Sequence, residues 1–510
     1  MRLGDWLGRR ALLSPEKEAL IDAADGGRAI PYGAWDRAAN RTARFLRARG
    51  VARGDRVAIL ARNSVAYLDP WFACGKLGAI LQPLNWRLTP RELGAAVADG
   101  TPRVLAYGAE FLEPVRALRA AASPARDWIA LDGSARAEDG DCAFDERDGC
   151  DETPPPPVEL GWDDPWVLCP TDGTTGRPKA AVLTHGNITW NSINTVTGWG
   201  LGPDDVTVLN APLFHTGGLN VLTAPLVHVG GTSIVCRGFD PGQVFDLLDG
   251  AGVTLLFGVP TMFLALQQHP RWDRADFTRL RLVIRGGAPC PEPIFARFRQ
   301  RGVALRTGHG LTEAGPNTFG MPPEALGRKP GSVGVPLFHV DVTIVDEAGR
   351  ACAAEEVGEL RIRGPHVCAG YWRRPEETAR AFRAGWLRTG DLARRDAEGH
   401  YWFVGRLKDA IISGGENVYP AEVEAVLAAH PAVAEVAVIG VPDATWGEVP
   451  RAVVVPQPGG TLVPDDLIAF AAGRLARYKL PRRVVLVDAL PRTAAGKVDK
   501  GPLRREHGGA

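Results

Sequence analysis

The chain has 510 residues, with 59 Lys plus Arg against 59 Asp plus Glu and 45% hydrophobic residues. That length calls for two or three domains. Zero formal net charge excludes a global pull toward nucleic acid or an acidic membrane surface, so any anion site must be local. No apolar run approaches the roughly 20 residues of a membrane span. Residues 1–10 carry no apolar signal core, so a cytoplasmic location is expected. Cys74, Cys142, Cys150, Cys169, Cys236, Cys290, Cys352 and Cys368 are scattered, without a CxxC pair or a histidine at metal-ligand spacing. Free thiols are expected.

The segment over 36–49 has amphipathic helical spacing, with Ala39, Thr42 and Leu46 inward and Gly50 as the stop. Residues 56–61 and 79–83 read as short apolar strands. Such alternation predicts parallel sheets covered by helices. Residues 133–158, acidic and ending in Pro154 to Pro157, read as an exposed connection. Further strands are expected at 206–209, 232–236, 255–257 and 282–284. Most are followed by loops rich in Gly, Pro, His or Thr, and ligands in open parallel sheets bind beyond the strand ends. From about residue 340 the texture becomes antiparallel, with strands at 340–345, 358–363 and 401–404 and turns of Gly and Asp. After residue 409 comes a compact run of about 100 residues, a normal size for a small α+β domain. It holds helices at 421–429 and 464–477 and strands at 436–440 and 451–456.

The most informative stretch is Pro170-Thr171-Asp172-Gly173-Thr174-Thr175-Gly176-Arg177-Pro178-Lys179. Its glycines allow successive N–H groups to converge, its threonines add hydroxyls, and Lys179 adds a point charge. That composition suits a polyphosphate, although the spacing is not that of a P-loop.

The stretch opens an ordered series. Phe214-His215, Gly286-Gly287-Ala288-Pro289 and His309-Gly310-Leu311-Thr312-Glu313 come next. Trp386 to Asp391, Gly405-Arg406-Leu407-Lys408-Asp409, Gly414-Gly415-Glu416-Asn417 and Pro491 to Lys497 follow. This set resembles the adenylate-forming (ANL) superfamily of acyl-CoA synthetases, luciferase and peptide adenylation domains, over nearly the whole chain. The resemblance implies an α/β fold: a large N-terminal domain of several subdomains, with parallel sheets and a barrel-like part, over 1–405. A hinge at 406–409 and a small mobile α+β domain at 410–510 complete it. It implies ATP, Mg2+ and coenzyme A, a carboxylic acid substrate, and an acyl-adenylate intermediate. No nucleic-acid partner and no membrane span are expected, and a homodimer is left open.

Residue roles follow from the same resemblance. Thr171, Asp172, Gly173, Thr174, Thr175, Gly176 and Lys179 surround the phosphates. Glu313 is the magnesium-linked carboxylate, a suitable oxygen ligand for a hard cation. Gly287, Ala288, Pro289, His309, Gly310 and Thr312 belong to the adenine side. Asp391 and Arg406 bind ribose. Lys497 reaches the α-phosphate and substrate carboxylate, and Lys408 is the pivot. Gly414 and Gly415 line the pantetheine path. Trp446 and Tyr478 either stack near the CoA adenine or fill the small domain's core. His215 separates the acyl site from the thiol's path, and Gly217, Gly218, Val259, Pro260, Met262 and Leu311 line the acyl pocket.

Amino-acid adenylation domains carry an aspartate after the motif phenylalanine to pair a substrate ammonium, and an unpaired buried ammonium is costly. Here that position is His215, which favours a simple acid, fatty or otherwise apolar, and CoA as acceptor. Transfer to an amine or carrier protein is the enzymatic alternative. A nucleotide- or acyl-binding protein with weakened turnover is a third reading. Two residues depart from the family pattern. Asp172 replaces the usual serine; it turns away from the phosphates, caps local N–H groups, or helps hold magnesium. His309 stands where many members have a tyrosine.

Overall fold

Tyr32–Ala48 becomes helical four residues earlier than its amphipathic spacing suggests. No side chain caps this start. Instead Tyr32 N–H bonds to Lys17 O (2.9 Å) and Gly33 N–H to Pro15 O (2.9 Å), while Tyr32 and Trp35 are buried. Tertiary contacts thus satisfy first-turn donors that a side-chain cap would otherwise bond. Gly50 terminates the helix with φ +75. The structure, a computed structural model, describes residues 3–509 except 122, 134–139, 172–178, 288, 289, 291, 460, 461, 494 and 495.

Two seven-stranded sheets dominate the large domain among the described residues. In one, Cys142–Ala143, Asp127–Ala130, Val104–Tyr107, Arg56–Leu60, Ile80–Pro83 and Pro165–Thr171 run parallel, and Lys179–Thr184 closes the edge antiparallel. In the other, Leu305–Thr307, Leu282–Arg285, Leu255–Gly258, Val206–Leu209, Thr232–Val235 and Glu18–Asp22 are parallel, with Arg28–Pro31 antiparallel at the edge. The expected parallel sheets are present. The segment 133–158 corrects the reading of an exposed connection: Cys142–Ala143 joins the sheet and Phe144 is buried. Its one aromatic anchor packs on Phe45 with ring centres 6.3 Å apart. All eight cysteines are free.

Asp341–Val345, Gly358–Arg363, Trp386–Arg395 and Tyr401–Arg406 form the antiparallel sheet, joined by short Phe382–Arg383. The smaller C-terminal domain has its own core around Val418, Leu427, Val438, Val454 and Leu467. Its long hairpin pairs Val433–Asp443 with Gly447–Pro456, and Arg483–Leu486 adds in parallel. The helix expected over 464–477 stops at Ala472, where Gly473 forms the cap. Glycine's low helix propensity ends it there. No helix among the described residues is long and apolar enough to cross a membrane.

Candidate active site

The loops after Leu209, Gly258, Arg285 and Thr307 all leave the same carboxyl edge of the second sheet. They carry His215, Val259, Gly287 and His309. A second group of functional candidates comes from the antiparallel sheet, where Asp391 and Arg406 are register partners on adjacent strands.

His309 Nε2 donates to Asp391 Oδ2 over 2.8 Å. Arg406 Nε lies 2.8 Å from Asp391 Oδ1 as an ion pair, without hydrogen-bond alignment. Asp391 N–H bonds to Thr389 Oγ1 at 3.0 Å, which fixes the backbone beneath the carboxylate. The His309 ring sits edge-on to Phe319 (5.6 Å) and tilted against Phe403 (5.8 Å).

Lys179 and Glu313 are brought together by a residue the sequence analysis did not single out. Tyr371 donates its hydroxyl to Glu313 Oε1 (2.8 Å), and Lys179 Nζ stands 5.0 Å from the centre of the same ring. The segment 369–372 lies along the edge strand Lys179–Thr184, with Ala369 N–H on Val182 O (3.0 Å) and Trp372 N–H on Ala180 O (2.9 Å). It covers an edge that would otherwise present open backbone groups. The only sequence signal for Tyr371 is its position in Gly370-Tyr371-Trp372. Burial, the Glu313 charge and the hydrogen bond to it raise the Tyr371 phenol, so it stays a donor. Burial first, and then the same carboxylate, push Cys169 up to about 12. The thiol is inert at neutral pH.

No group of three or more His, Cys, Asp or Glu able to hold a metal occurs among the described residues. Glu313 offers one carboxylate. One or two carboxylates completed by substrate phosphate oxygens form a donor set that magnesium takes. Thr171 bonds across the base of its hairpin to Lys179 O (3.4 Å). Asp172, Gly173, Thr174, Thr175 and Gly176, with Ala288 and Pro289, lie outside the described residues.

His215 caps the short helix Thr216–Asn220, and its Nδ1 accepts Gly217 N–H at 3.0 Å. The Nε2 therefore carries the proton in the neutral ring. Burial first, then the positive charges of Lys497 and Arg87, lower His215 from 6.5 to about 4. The lysine of the small domain is thus felt inside the large one. Backbone bonds tie Lys497 to Thr493, with Thr493 N–H on Lys497 O (2.7 Å) and Gly496 N–H on Thr493 O (2.8 Å).

Near His215 stands the half-buried ring of Phe257, which no motif in the sequence singles out. A Cβ on Gly286 would stand 3.2 Å from Phe257 Cε2, and one on Gly217 would stand 3.4 Å from Cε1. The ring tip therefore fits between two glycines from different loops. Val259, Met262 and Leu311 are partly exposed nearby along the chain, whereas Pro260 is buried as the first residue of its helix. Gly310 and Gly218 have a different reason to be glycine: a Cβ on either would collide with a backbone carbonyl, of Pro316 and Pro212 respectively. Thr312 is buried at the start of a short turn.

In the small domain Trp446 (45% exposed) and Tyr478 (38%) are surface aromatics, so neither fills the core. Trp446 covers Gly414, whose φ is +61 and whose added Cβ would meet the indole at 2.6 Å. Gly415 (φ +87) faces open space. Lys408 is exposed in the turn Leu407–Asp409, next to an Asp409–Arg504 ion pair of 2.6 Å.

Residues 7–372 match the family described as AMP-binding enzyme, and residues 422–497 match its C-terminal domain. The chain belongs to the AMP-binding enzyme family. It is 45% identical over 509 residues to a feruloyl-CoA synthase of Amycolatopsis sp, covering 99% of each chain. It is 39% identical over 514 residues to an indoleacetate–CoA ligase of Aromatoleum aromaticum, covering 99% of this chain and 98% of that one. Among solved structures, ATP-bound MatB from Rhodopseudomonas palustris superposes with a TM-score of 0.89 at 34% identity, over 99% of each chain. The apo form of that protein gives 0.80. As a family member with such relatives, the chain is an AMP-forming acid–CoA ligase, and ATP and CoA are its co-substrates.

Proposed function

We propose that this ligase activates an aromatic carboxylic acid. The observation that carries the reading is the half-buried ring of Phe257 near His215, its tip between Gly217 and Gly286; this ring is read as one wall of an acyl slot. Flat rings pack well on such a wall. The feruloyl-CoA synthase and indoleacetate–CoA ligase relatives support the same class. Position 215 carries a neutral imidazole, which gives no counter-charge to an amino acid's ammonium.

In the first half-reaction an acid oxygen attacks the α-phosphorus of ATP and the bond to pyrophosphate breaks. Lys497 stabilises the charge gathering on the α-phosphate. Lys179, with the loop over 171–176, holds the outgoing phosphates. Magnesium, held by Glu313 with phosphate oxygens, supplies charge neutralisation when bound. Asp391 and Arg406 hold the ribose. His215 presents a donor at Nε2, suited to an acid oxygen and unable to accept the thiol proton. In the second half-reaction CoA sulfur attacks the acyl carbon, the thiol proton leaves to solvent, and AMP departs. Residues 406–409 act as the hinge between an N-terminal domain over 1–405 and a small domain over 410–510. Gly414, Gly415, Trp446 and Tyr478 then serve the CoA side.

The test is pyrophosphate release with a panel of cinnamate-type, arylacetate, medium-chain and long-chain acids, with and without CoA. Aromatic acids should give the highest kcat/KM and a thioester product. Preference for a long-chain acid overturns the substrate class. Product only with an amine or carrier protein overturns the acceptor.

A further inference from the structure

The pair His309–Asp391 carries a consequence for nucleotide binding. A carboxylate only accepts, so His309 Nε2 must hold the shared proton. The two side chains are 10% and 3% exposed, which keeps water from competing for the bond. His309 Nδ1 is buried with no hydrogen-bond partner among the described residues, so among them Asp391 is the ring's one polar anchor. Phe319 and Phe403 hold the ring from two sides. The other neighbour of the carboxylate is weaker: Arg406 is 42% exposed and its contact lacks hydrogen-bond alignment.

A carboxylate has about four lone-pair sites. His309 takes one on Oδ2 and Arg406 faces Oδ1, which leaves an acceptor site on each oxygen. Two sites match the two hydroxyls of a ribose, provided the carboxylate cannot swing. We propose that His309 is the positioning residue that holds Asp391 for the ribose diol and so sets selection of ribonucleotide over deoxyribonucleotide. The proposal rests on Asp391 as the ribose ligand. A phenyl or phenol ring at 309 would fill the same wall, but a phenyl has no donor.

The experiment compares steady-state kinetics with ATP and 2′-deoxyATP in the wild type and in His309→Phe, His309→Gln and Asp391→Asn. His309→Phe should raise KM for ATP about tenfold, the worth of one hydrogen bond to a charged group. KM for the acid should stay unchanged. The preference for ATP over 2′-deoxyATP should shrink by a similar factor. His309→Gln, which keeps an N–H at the same reach, should restore most of both. If His309→Phe does not fold, His309→Asn replaces it, since its amide is too short to reach Asp391 and should lose the preference likewise. Equal weakening of both nucleotides, or no change in either, overturns the proposal. Loss of the preference in Asp391→Asn but not in the His309 variants overturns it while sparing the ribose assignment. An unchanged preference in Asp391→Asn overturns the ribose assignment itself.

Discussion

Gly286→Ala tests the acyl slot most directly. The new Cβ would lie 3.2 Å from Phe257 Cε2 and 3.7 Å from Cζ. The ring must move by a few tenths of an ångström, either toward Gly217 or into the slot. Gly217 stands on the other side of the ring tip, so the shift is expected to narrow the slot. A one-carbon misfit in an apolar pocket is worth about 1–3 kcal/mol, or about 10- to 200-fold in kcat/KM. The backbone should tolerate the change. Gly286 is absent from the residues with positive φ, and its N–H bond to Gly258 O (3.1 Å) is kept by alanine. We therefore expect kcat/KM for aromatic acids to fall within that range, KM for ATP to stay level, and propionate to be affected far less. Coupled pyrophosphate assays on purified variant and wild type measure all three. An equal fall for aromatic and short aliphatic acids would refute the slot, as would no fall at all.

Other substitutions separate the remaining parts. Lys497→Ala should nearly abolish adenylate formation yet spare thioester formation from supplied acyl-adenylate; equal loss of both steps contradicts a role of Lys497 confined to the first half-reaction. Tyr371→Phe removes a hydrogen bond to a charged oxygen worth about 1.5–3 kcal/mol. ATP–pyrophosphate exchange should then need at least about tenfold more Mg2+, and an unchanged requirement shows that Glu313 holds its position unaided. Asp172→Ser should raise the adenylation rate if the carboxylate repels phosphate, and no gain excludes that role. Burial pushes His366 from 6.5 to about 4, and both its ring nitrogens lack hydrogen-bond partners among the described residues. The folded chain therefore takes up that proton later than the unfolded one. Stability is full above about pH 6.5 and is lost as pH falls toward 4, by about 3 kcal/mol. Melting at pH 7.5 and 5.0 should show a smaller difference in His366→Phe than in the wild type; an equal difference assigns the acid sensitivity elsewhere.

The order of the motifs, the parallel strands and the change of texture near residue 340 were legible because each depends on local spacing. Apolar runs bounded by Gly and Pro mark strands wherever they pack. The bounds of elements were less legible. Helix Tyr32–Ala48 begins early because Pro15 and Lys17 supply its acceptors, and Cys142–Ala143 joins a sheet because Phe144 reaches Phe45. Neither partner is near in sequence.

The sequence by itself carried the resemblance to a nucleotide-using ligase family, since the motifs holding Lys179, Glu313, Asp391, Arg406 and Lys497 occur in the family's order. It also marked His309 as a departure. What Phe257 and Tyr371 do was decided only by tertiary structure. Phe257 lies with its ring tip between two glycines from separate loops, and Tyr371 joins Glu313 to Lys179 because segment 369–372 lies along an open strand edge. Spacing along a chain cannot encode contacts whose partners lie dozens of residues apart. Those contacts follow from how the sheets present their ends.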